Sequence, residues 1–308
     1  MTRSDRRMVF TGTGSFIPER RISNADFLNH HFFLGPDEPQ DQADNPSIVD
    51  KFQEITDIAE RRYVDDGVVT TDIAVAASAK ALEQSGIDRE SLDYVIVAHN
   101  FGDVRPGDAR PDICPSLAAR VKQRLEIVNP SCVAYDLPFG CPGWIQGVIQ
   151  ASYYLGSGDA SRALVVGAET LSRVLDPHDR DSMLYADGAG AAVLEAIDSP
   201  DPVGILSHAA RSDTIKHAGL IWMGGSYNPE FADDRLYLKM RGRKLYEYAL
   251  NHVPGLVKES LDRAGLSLGD VKTILLHQAN NKMDEAIVKR LFRLYGERTV
   301  PDGVMPMT

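Results

Sequence analysis

Short apolar runs alternate along this chain with longer stretches of helical spacing, and glycines punctuate the changeovers. "MVFTGTG" (8–14) reads as a strand closing on glycines, and "TDIAVAASAKALEQSG" (71–86) predicts a helix ended by a C-cap glycine. "DYVIVAHN" (93–100) is a strand of the fully buried kind. A loop, 101–115, a helix, 116–125, and a strand at "SCVAYDL" follow. The cycle then repeats. A helix starts at the cysteine of "CPGWIQGVIQASYYLGSG", a buried strand is "RALVVGAE" (162–169), and a further strand, "DGAGAAVLEA" (187–196), begins with glycines. Strand alternating with helix argues for a layered α/β protein. Residues 30–50 hold three prolines and many acids and read as an exposed insertion. The early "GTG" could open a dinucleotide loop. Pro18 stands where the helix should begin and no third glycine arrives in register, which argues against it.

The pattern also echoes itself. "ALEQSGIDRESLDYVIVAHN" and "SLDRAGLSLGDVKTILLHQAN" each run from a helix tail through a glycine (Gly86, Gly265) and a polar link to an apolar strand ending in histidine (His99, His277). The echo suggests a duplicated half joined near "DSPDPVG" (198–204).

Composition adds mainly exclusions. The 308 residues are 43% hydrophobic and carry a net charge of −11, which disfavours nonspecific binding to nucleic acid or an anionic membrane. The basic N-terminus "MTRSDRRMVF" has no apolar h-region behind it, and no apolar run approaches the ~20 residues that span a bilayer. Cys114, Cys132 and Cys141 form no disulfide framework and no CxxC zinc spacing. The expectation is a soluble, reduced, cytoplasmic protein without a metal; His30 and His31 are adjacent in a loop and no HxxxH helix accompanies them.

Two residues draw attention as chemistry. In "DLPFGCPGW" (136–144), Pro142 would occupy the first helical position and put Cys141 at the helix N-terminus. The dipole and free N–H groups there favour thiolate, and Gly140 and Gly143 clear the approach to sulfur. A buried structural cysteine is the other reading, and it suits Cys132 better. His277 ends "TILLH" and precedes "QANNKM"; a strand-end histidine can serve a cleft, and equally can be structural, as His99 in the echo illustrates.

Taken together, "GTGSFIPERRISNAD", "FGCPGW", "GAETLSRVLDPHDRDSMLYADGAGAAVL", "LKMRGRKLYEYA" and "HQANNKM", in this order, resemble β-ketoacyl-acyl-carrier-protein synthase III. The resemblance implies the thiolase-like duplicated fold: α-β-α-β-α layers with mixed five-stranded sheets. It implies an N-terminal half at 1–200 carrying the cysteine and a C-terminal half at 201–308 carrying the histidine. It further implies ping-pong chemistry on thioesters, with no cofactor and with acyl-CoA as a substrate. Cys141 would take the acyl group. A malonyl thioester on acyl carrier protein would then lose CO₂, and its enolate would attack the acyl-enzyme. A thiolate suits a thioester, and His277 would be one of the neutral donors aimed at the enolate oxygen.

The same resemblance assigns the remaining site residues. Arg180 matches the arginine that stacks on CoA adenine, while the tryptophan opposite it in the family falls on Lys51, with Phe52 adjacent. Asn280 belongs to the "HQAN" substrate stretch. Cys114 replaces a phenylalanine that reaches into the partner subunit's acyl tunnel, leaving room for a longer or branched acyl group and implying a homodimer. Lys282, Lys289 and Arg290 share a helix face and match positions that dock the acidic carrier protein; the plain alternative is a solvated face. The family's catalytic asparagine and closing glycine-rich segment would lie beyond residue 308, so the sequence reads as lacking about a tenth of a family-length chain. Two other functions fit the motifs: a relative that acylates a non-malonyl acceptor in specialised metabolism, and a non-catalytic partner subunit. Retention of both Cys141 and His277 argues against the latter.

Overall fold

The computed structural model describes residues 5–35, 38–39, 45–108, 110–231 and 234–307. In chain order its strands and helices are β1 (Arg6–Phe16), β2 (Arg20–Ser23), β3 (Phe33–Gly35), β4 (Glu38–Pro39), α1 (Asn45–Thr56), β5 (Glu60–Tyr63), α2 (Thr70–Ser85), β6 (Tyr94–His99), α3 (Leu117–Arg124), β7 (Val133–Pro138), α4 (Gly143–Ser157), β8 (Arg162–Thr170), β9 (Asp187–Asp198), β10 (Ile221–Gly224), β11 (Tyr237–Met240), α5 (Gly242–Ala264) and α6 (Asn281–Leu294). They divide into two compact units, each discontinuous in sequence. The first comprises 1–21, 62–173 and 186–206; the second comprises 22–61, 174–185 and 207–308.

A five-stranded mixed sheet in the order β1-β9-β8-β6-β7 forms the first unit. β6 runs parallel to β7 and β8, while β9 is antiparallel to both β8 and β1. Alternate residues of each strand face opposite sides. Val95, Val97, Leu164, Val166 and Val193 pack against Ile73, Ala77 and Ala81 of α2 and Leu117 and Val121 of α3. Ile96, Val165, Ala192 and Leu194 pack against Val148, Ala151 and Leu155 of α4. Both faces are therefore dry, which is why these strands read as continuous apolar runs. The "GTG" of β1 serves this packing. A Cβ at Gly12 would lie 2.2 Å from the Ala81 carbonyl oxygen, and one at Gly14 would lie 2.1 Å from that of Ala77.

In the second unit α5 and α6 pack together, and β10 and β11 form a two-stranded antiparallel ladder. Lys239 of β11 is fully buried between Asp176 and Asp179, its Nζ 3.4 Å from the centre of the Tyr227 ring. These bonds fasten segment 174–185 to the hairpin. Residues 30–50 are not simply an exposed insertion. Phe32 and Val49 are buried with Phe27 and Met183, and Pro46 lies in the first turn of α1, where its missing N–H costs nothing. The acidic residues at 37–38 and 41 and 44 gave that stretch its exposed look; 36–37 and 40–44 lie outside the described residues.

The internal echo holds as far as its turns. Gly86 and Gly265 both end helices in the left-handed region, at φ 67° and 69°. A single 3₁₀ turn follows each. Beyond that the copies diverge. Residues 94–99 are a central strand, whereas 271–277, expected as a strand, is an extended segment outside any described sheet. Its apolar alternation is real, since Ile274 and Leu276 join the α6 cluster of Val288, Leu291 and Phe292. A strand also needs a ladder, and here the Ile274 N–H donates to the Val304 carbonyl at 2.7 Å without a continuing register.

Candidate active site

The nucleophile candidate stands where α4 begins. Helical geometry starts at Gly143 with Pro142 as N-cap, so Cys141 precedes the helix by one residue more than the sequence implies. The Gly143 N–H closes back on the Gly140 carbonyl at 3.0 Å, and Gly140 has φ +32°. That turn requires glycine and leaves Phe139, Gly140, Cys141 and Pro142 all exposed. Cys114 is also exposed, whereas Cys132 is buried in the core, as expected of the structural thiol.

Packing of α4 fixes what lies beneath Cys141. A Cβ at Gly147 would meet Val165 and Ile96, one at Gly143 would meet Ala98 at 3.0 Å, and one at Gly167 would meet Trp144 at 3.0 Å. Residues 96 and 98 of β6 and 165 and 167 of β8 therefore face α4. Glu169, the next residue of β8 in that alternation, lies on the same face of the sheet, and Asn100 follows the end of β6. Glu169 Oε2 accepts from the Asn100 N–H at 2.7 Å and from Asn100 Nδ2 at 2.9 Å. Its Oε1 is buried and has no hydrogen-bond partner. Burial raises the Glu169 carboxyl above the usual range, against the opposing bonds from Asn100.

Other influences oppose the thiolate-favouring helix start at Cys141. Desolvation by the protein around the turn shifts the Cys141 thiol upward, the backbone N–H at Cys141 opposes it, and the Glu169 charge adds to the upward shift. One N–H at the helix start is outweighed by desolvation and a neighbouring carboxylate.

His99 has a structural task. Its Nδ1 accepts the Gly102 N–H at 3.1 Å, which leaves the ring proton on Nε2, 2.9 Å from Asp136 Oδ2. Asp136 in turn caps α3 by accepting from the Leu117 and Ala118 N–H groups at 2.8 and 2.7 Å. Asp103 accepts from the Thr71 N–H and from Arg120 Nη1, both at 2.7 Å, and Arg120 Nη2 reaches Asp112 at 2.6 Å. The loop 101–115 that carries Cys114 is thus held at both ends.

The second unit holds the other expected residues. His277 stands at the end of the extended segment, and desolvation by the protein around it lowers its pKa. Asn280 is the N-cap of α6, accepting from the Met283 N–H at 2.7 Å. Arg180 is exposed at the start of a 3₁₀ turn positioned by Asp179. Lys51 and Lys282 both meet Glu54: Lys51 pairs with its carboxylate at 2.8 Å, and Lys282 Nζ donates to its backbone carbonyl. Lys289 pairs with Glu285 at 3.0 Å, and Arg290 donates to the Leu250 carbonyl and Asn251 Oδ1 at 2.9 and 2.8 Å. The three expected docking cations are exposed, yet each already has a partner in its own unit. Sequence reasoning missed Glu169, Asn100 and the His99–Asp136 pair. The one available signal was a lone acid closing the apolar run "ALVVGAE".

A layered α/β unit with a glycine-flanked cysteine at the mouth of its helix is that of a thiolase-fold enzyme. A profile of 3-Oxoacyl-[acyl-carrier-protein (ACP)] synthase III matches residues 135–214. The chain is 34% identical over 289 residues to the β-ketoacyl-[acyl-carrier-protein] synthase III of Xanthomonas campestris pv. campestris, covering 91% of this chain and 79% of the relative. Among solved structures it resembles the 3-oxoacyl-(acyl carrier protein) synthase III of Pseudomonas aeruginosa PAO1, with TM-score 0.77, 27% identity and coverage of 98% and 83% of the two chains. The synthase III of Aquifex aeolicus VF5 gives 0.75, 27%, 97% and 83%. The chain belongs to the 3-oxoacyl-acyl-carrier-protein synthase III family of condensing enzymes. Xanthomonas campestris OleA shares the fold at TM-score 0.73 and 16% identity.

Proposed function

We propose that this enzyme condenses an acyl thioester with malonyl-acyl-carrier-protein, with loss of CO₂, to give a 3-oxoacyl thioester by way of an acyl-Cys141. The observation that carries the reading is the placement of Cys141, exposed on a glycine turn at the start of α4, in a chain 34% identical to a synthase III. Acyl-CoA is the natural donor, with Arg180 as its adenine contact and Lys51 in place of an aromatic partner. Cys114, small and exposed, leaves space for a long or branched acyl chain. His277 suits the decarboxylation step, because a neutral imidazole can donate a hydrogen bond to a developing enolate oxygen. Asn280, which caps the helix that follows, keeps that end of the segment in place. Lys282, Lys289 and Arg290 are the docking cations for the carrier protein. A homodimer is supported by β7, which is an edge strand with Val133 half exposed. Intact mass after incubation with a panel of acyl-CoAs tests the first half-reaction: a single acyl adduct is expected on wild type and none on Cys141→Ala. An adduct mapped to Cys114 or Cys132 instead would overturn the assignment. Light scattering at micromolar concentration should give a dimer.

A further inference from the structure

Arg180 is exposed, and its guanidinium makes no hydrogen bond among the described residues. What fixes its place is the backbone that carries it. Arg180 opens the 3₁₀ turn Arg180–Leu184, and Asp179 is the N-cap of that turn. One oxygen of Asp179, Oδ1, accepts the Asp181 N–H at 2.9 Å, and the Asp179 carbonyl accepts the Ser182 N–H at 2.9 Å. The other carboxylate oxygen, Oδ2, lies 3.3 Å from Lys239 Nζ. The same ammonium donates to Asp176 Oδ2, and the Asp179 N–H closes back on the Asp176 carbonyl at 3.1 Å. Asp176 in turn accepts from the Tyr227 N–H at 2.7 Å and the Ser226 hydroxyl at 2.8 Å. Lys239 therefore grips the residue directly before Arg180, and all of these groups belong to the second unit.

Stability alone does not account for such a lysine. Lys239 is 1% exposed, and a buried ion pair commonly gives a fold no more than apolar side chains of the same volume would. What it can give is a single geometry. Desolvation raises the Asp179 carboxyl, and the Lys239 charge is the foremost influence that opposes it.

We infer that Lys239 is a positioning residue for the acyl-CoA donor: through Asp179 it holds the start of the turn so that Arg180 presents its guanidinium to the adenine. Lys239 itself touches no substrate. The inference deepens the condensing reading and rests on Arg180 as the adenine contact. A planar guanidinium stacks on a planar ring from a narrow range of positions. A loosened turn would leave Arg180 charged and exposed but out of alignment, so the loss falls on the nucleotide end of the donor and not on chemistry at the thiol.

Titration calorimetry of the whole chain with CoA tests this. Arg180→Ala should weaken CoA binding about tenfold. Lys239→Met keeps the reach of the side chain and removes the ammonium; it should weaken CoA by a similar factor. Added to Arg180→Ala it should cost no more than about a further twofold, because the two residues act through one contact. The second readout is the efficiency of Cys141 acylation by an acyl-N-acetylcysteamine, which has no nucleotide, relative to acyl-CoA. That ratio should rise about tenfold in Lys239→Met. A purely structural role would lower both donors together, and an unchanged ratio overturns the inference, as does full additivity of the two losses. Where Lys239→Met does not fold, Asp179→Asn decides. Asparagine keeps the cap on the Asp181 N–H and removes the charge that Lys239 grips, so CoA affinity should fall severalfold, but not when Arg180 is already alanine. A loss in Arg180→Ala that neither Lys239→Met nor Asp179→Asn reproduces overturns the inference and leaves Arg180 as the contact. Equal CoA affinity of wild type and Arg180→Ala overturns the adenine assignment itself, and the positioning role with it.

Discussion

His99 Nε2 lies 2.9 Å from Asp136 Oδ2, and that pair ties the end of β6 to the N-terminus of α3. Burial by itself would raise the Asp136 carboxyl; the bonds from His99, Ala118 and Leu117 outweigh it and bring the pKa below the usual value. A depressed folded pKa means stability that is present above the unfolded value and lost as pH falls through the folded one. Asp136→Ala should cost roughly 3 kcal/mol in chemical denaturation at pH 7, since it strands His99 and two helix N–H groups. The cost should shrink on acidification below about pH 4, where the wild-type carboxyl loses its own advantage.

Asp284 behaves in the opposite sense. It is 1% exposed on α6, neither carboxylate oxygen has a partner, and burial raises its pKa to about 6. An unfolded aspartate titrates near about 3.9. The charge therefore destabilises the fold increasingly as pH rises from about 4 through about 6. Asp284→Asn should raise stability at pH 7.5 by about 1–3 kcal/mol and flatten the pH dependence over that window. Equal stability of the two proteins from about pH 4 to about pH 8 would contradict the assignment.

Contact between β1 and α2 should tolerate no methyl group at Gly12, where the new carbon would sit 2.2 Å from a backbone oxygen. Gly12→Ala should destabilise by about 3 kcal/mol or more, read as a drop in thermal midpoint. Gly190 of β9 is the control. A Cβ there meets nothing within 4 Å, and Gly190→Ala should be near neutral.

His277→Ala separates the two half-reactions. Acylation of Cys141 by a small acyl thioester should persist, while decarboxylation of the malonyl substrate should fall by about 10²–10³. Complete loss of acylation with an intact fold would make His277 the base for Cys141.

Carrier docking should show in salt and in charge reversal. The protein carries −11, so an acidic carrier is repelled at long range unless a local patch prevails. Lys289→Glu is the cleanest reversal, because Lys289 is exposed and, among the described residues, pairs with Glu285, whereas Arg290 also braces α5. KM for the carrier-bound substrate should rise, a small thioester should be unaffected, and the wild-type carrier-dependent rate should fall with salt as screening tightens to ~10 Å at 0.1 M. Equal loss with both substrates would point to damage elsewhere.

Local chemistry made much of this legible in advance. Apolar runs such as "YVIVA" and "ALVVG" could only be strands covered on both faces, and the glycines after "EQS" and "DRA" could only close helices. Gly-Cys-Pro-Gly marked the turn that exposes Cys141, because backbone with positive φ and an unobstructed sulfur are properties of neighbouring residues. Whether "TILLH" would find a ladder was not a property of those residues, since pairing depends on what the rest of the chain brings alongside. The direction of the Cys141 pKa shift was hidden for the same reason. The helix start is written next to it in the sequence, but Glu169 is 28 residues away, and its charge acts there because β8 and α4 pack face to face. Electrostatics and burial are set by distance in space, and the fold alone decides which residues become near.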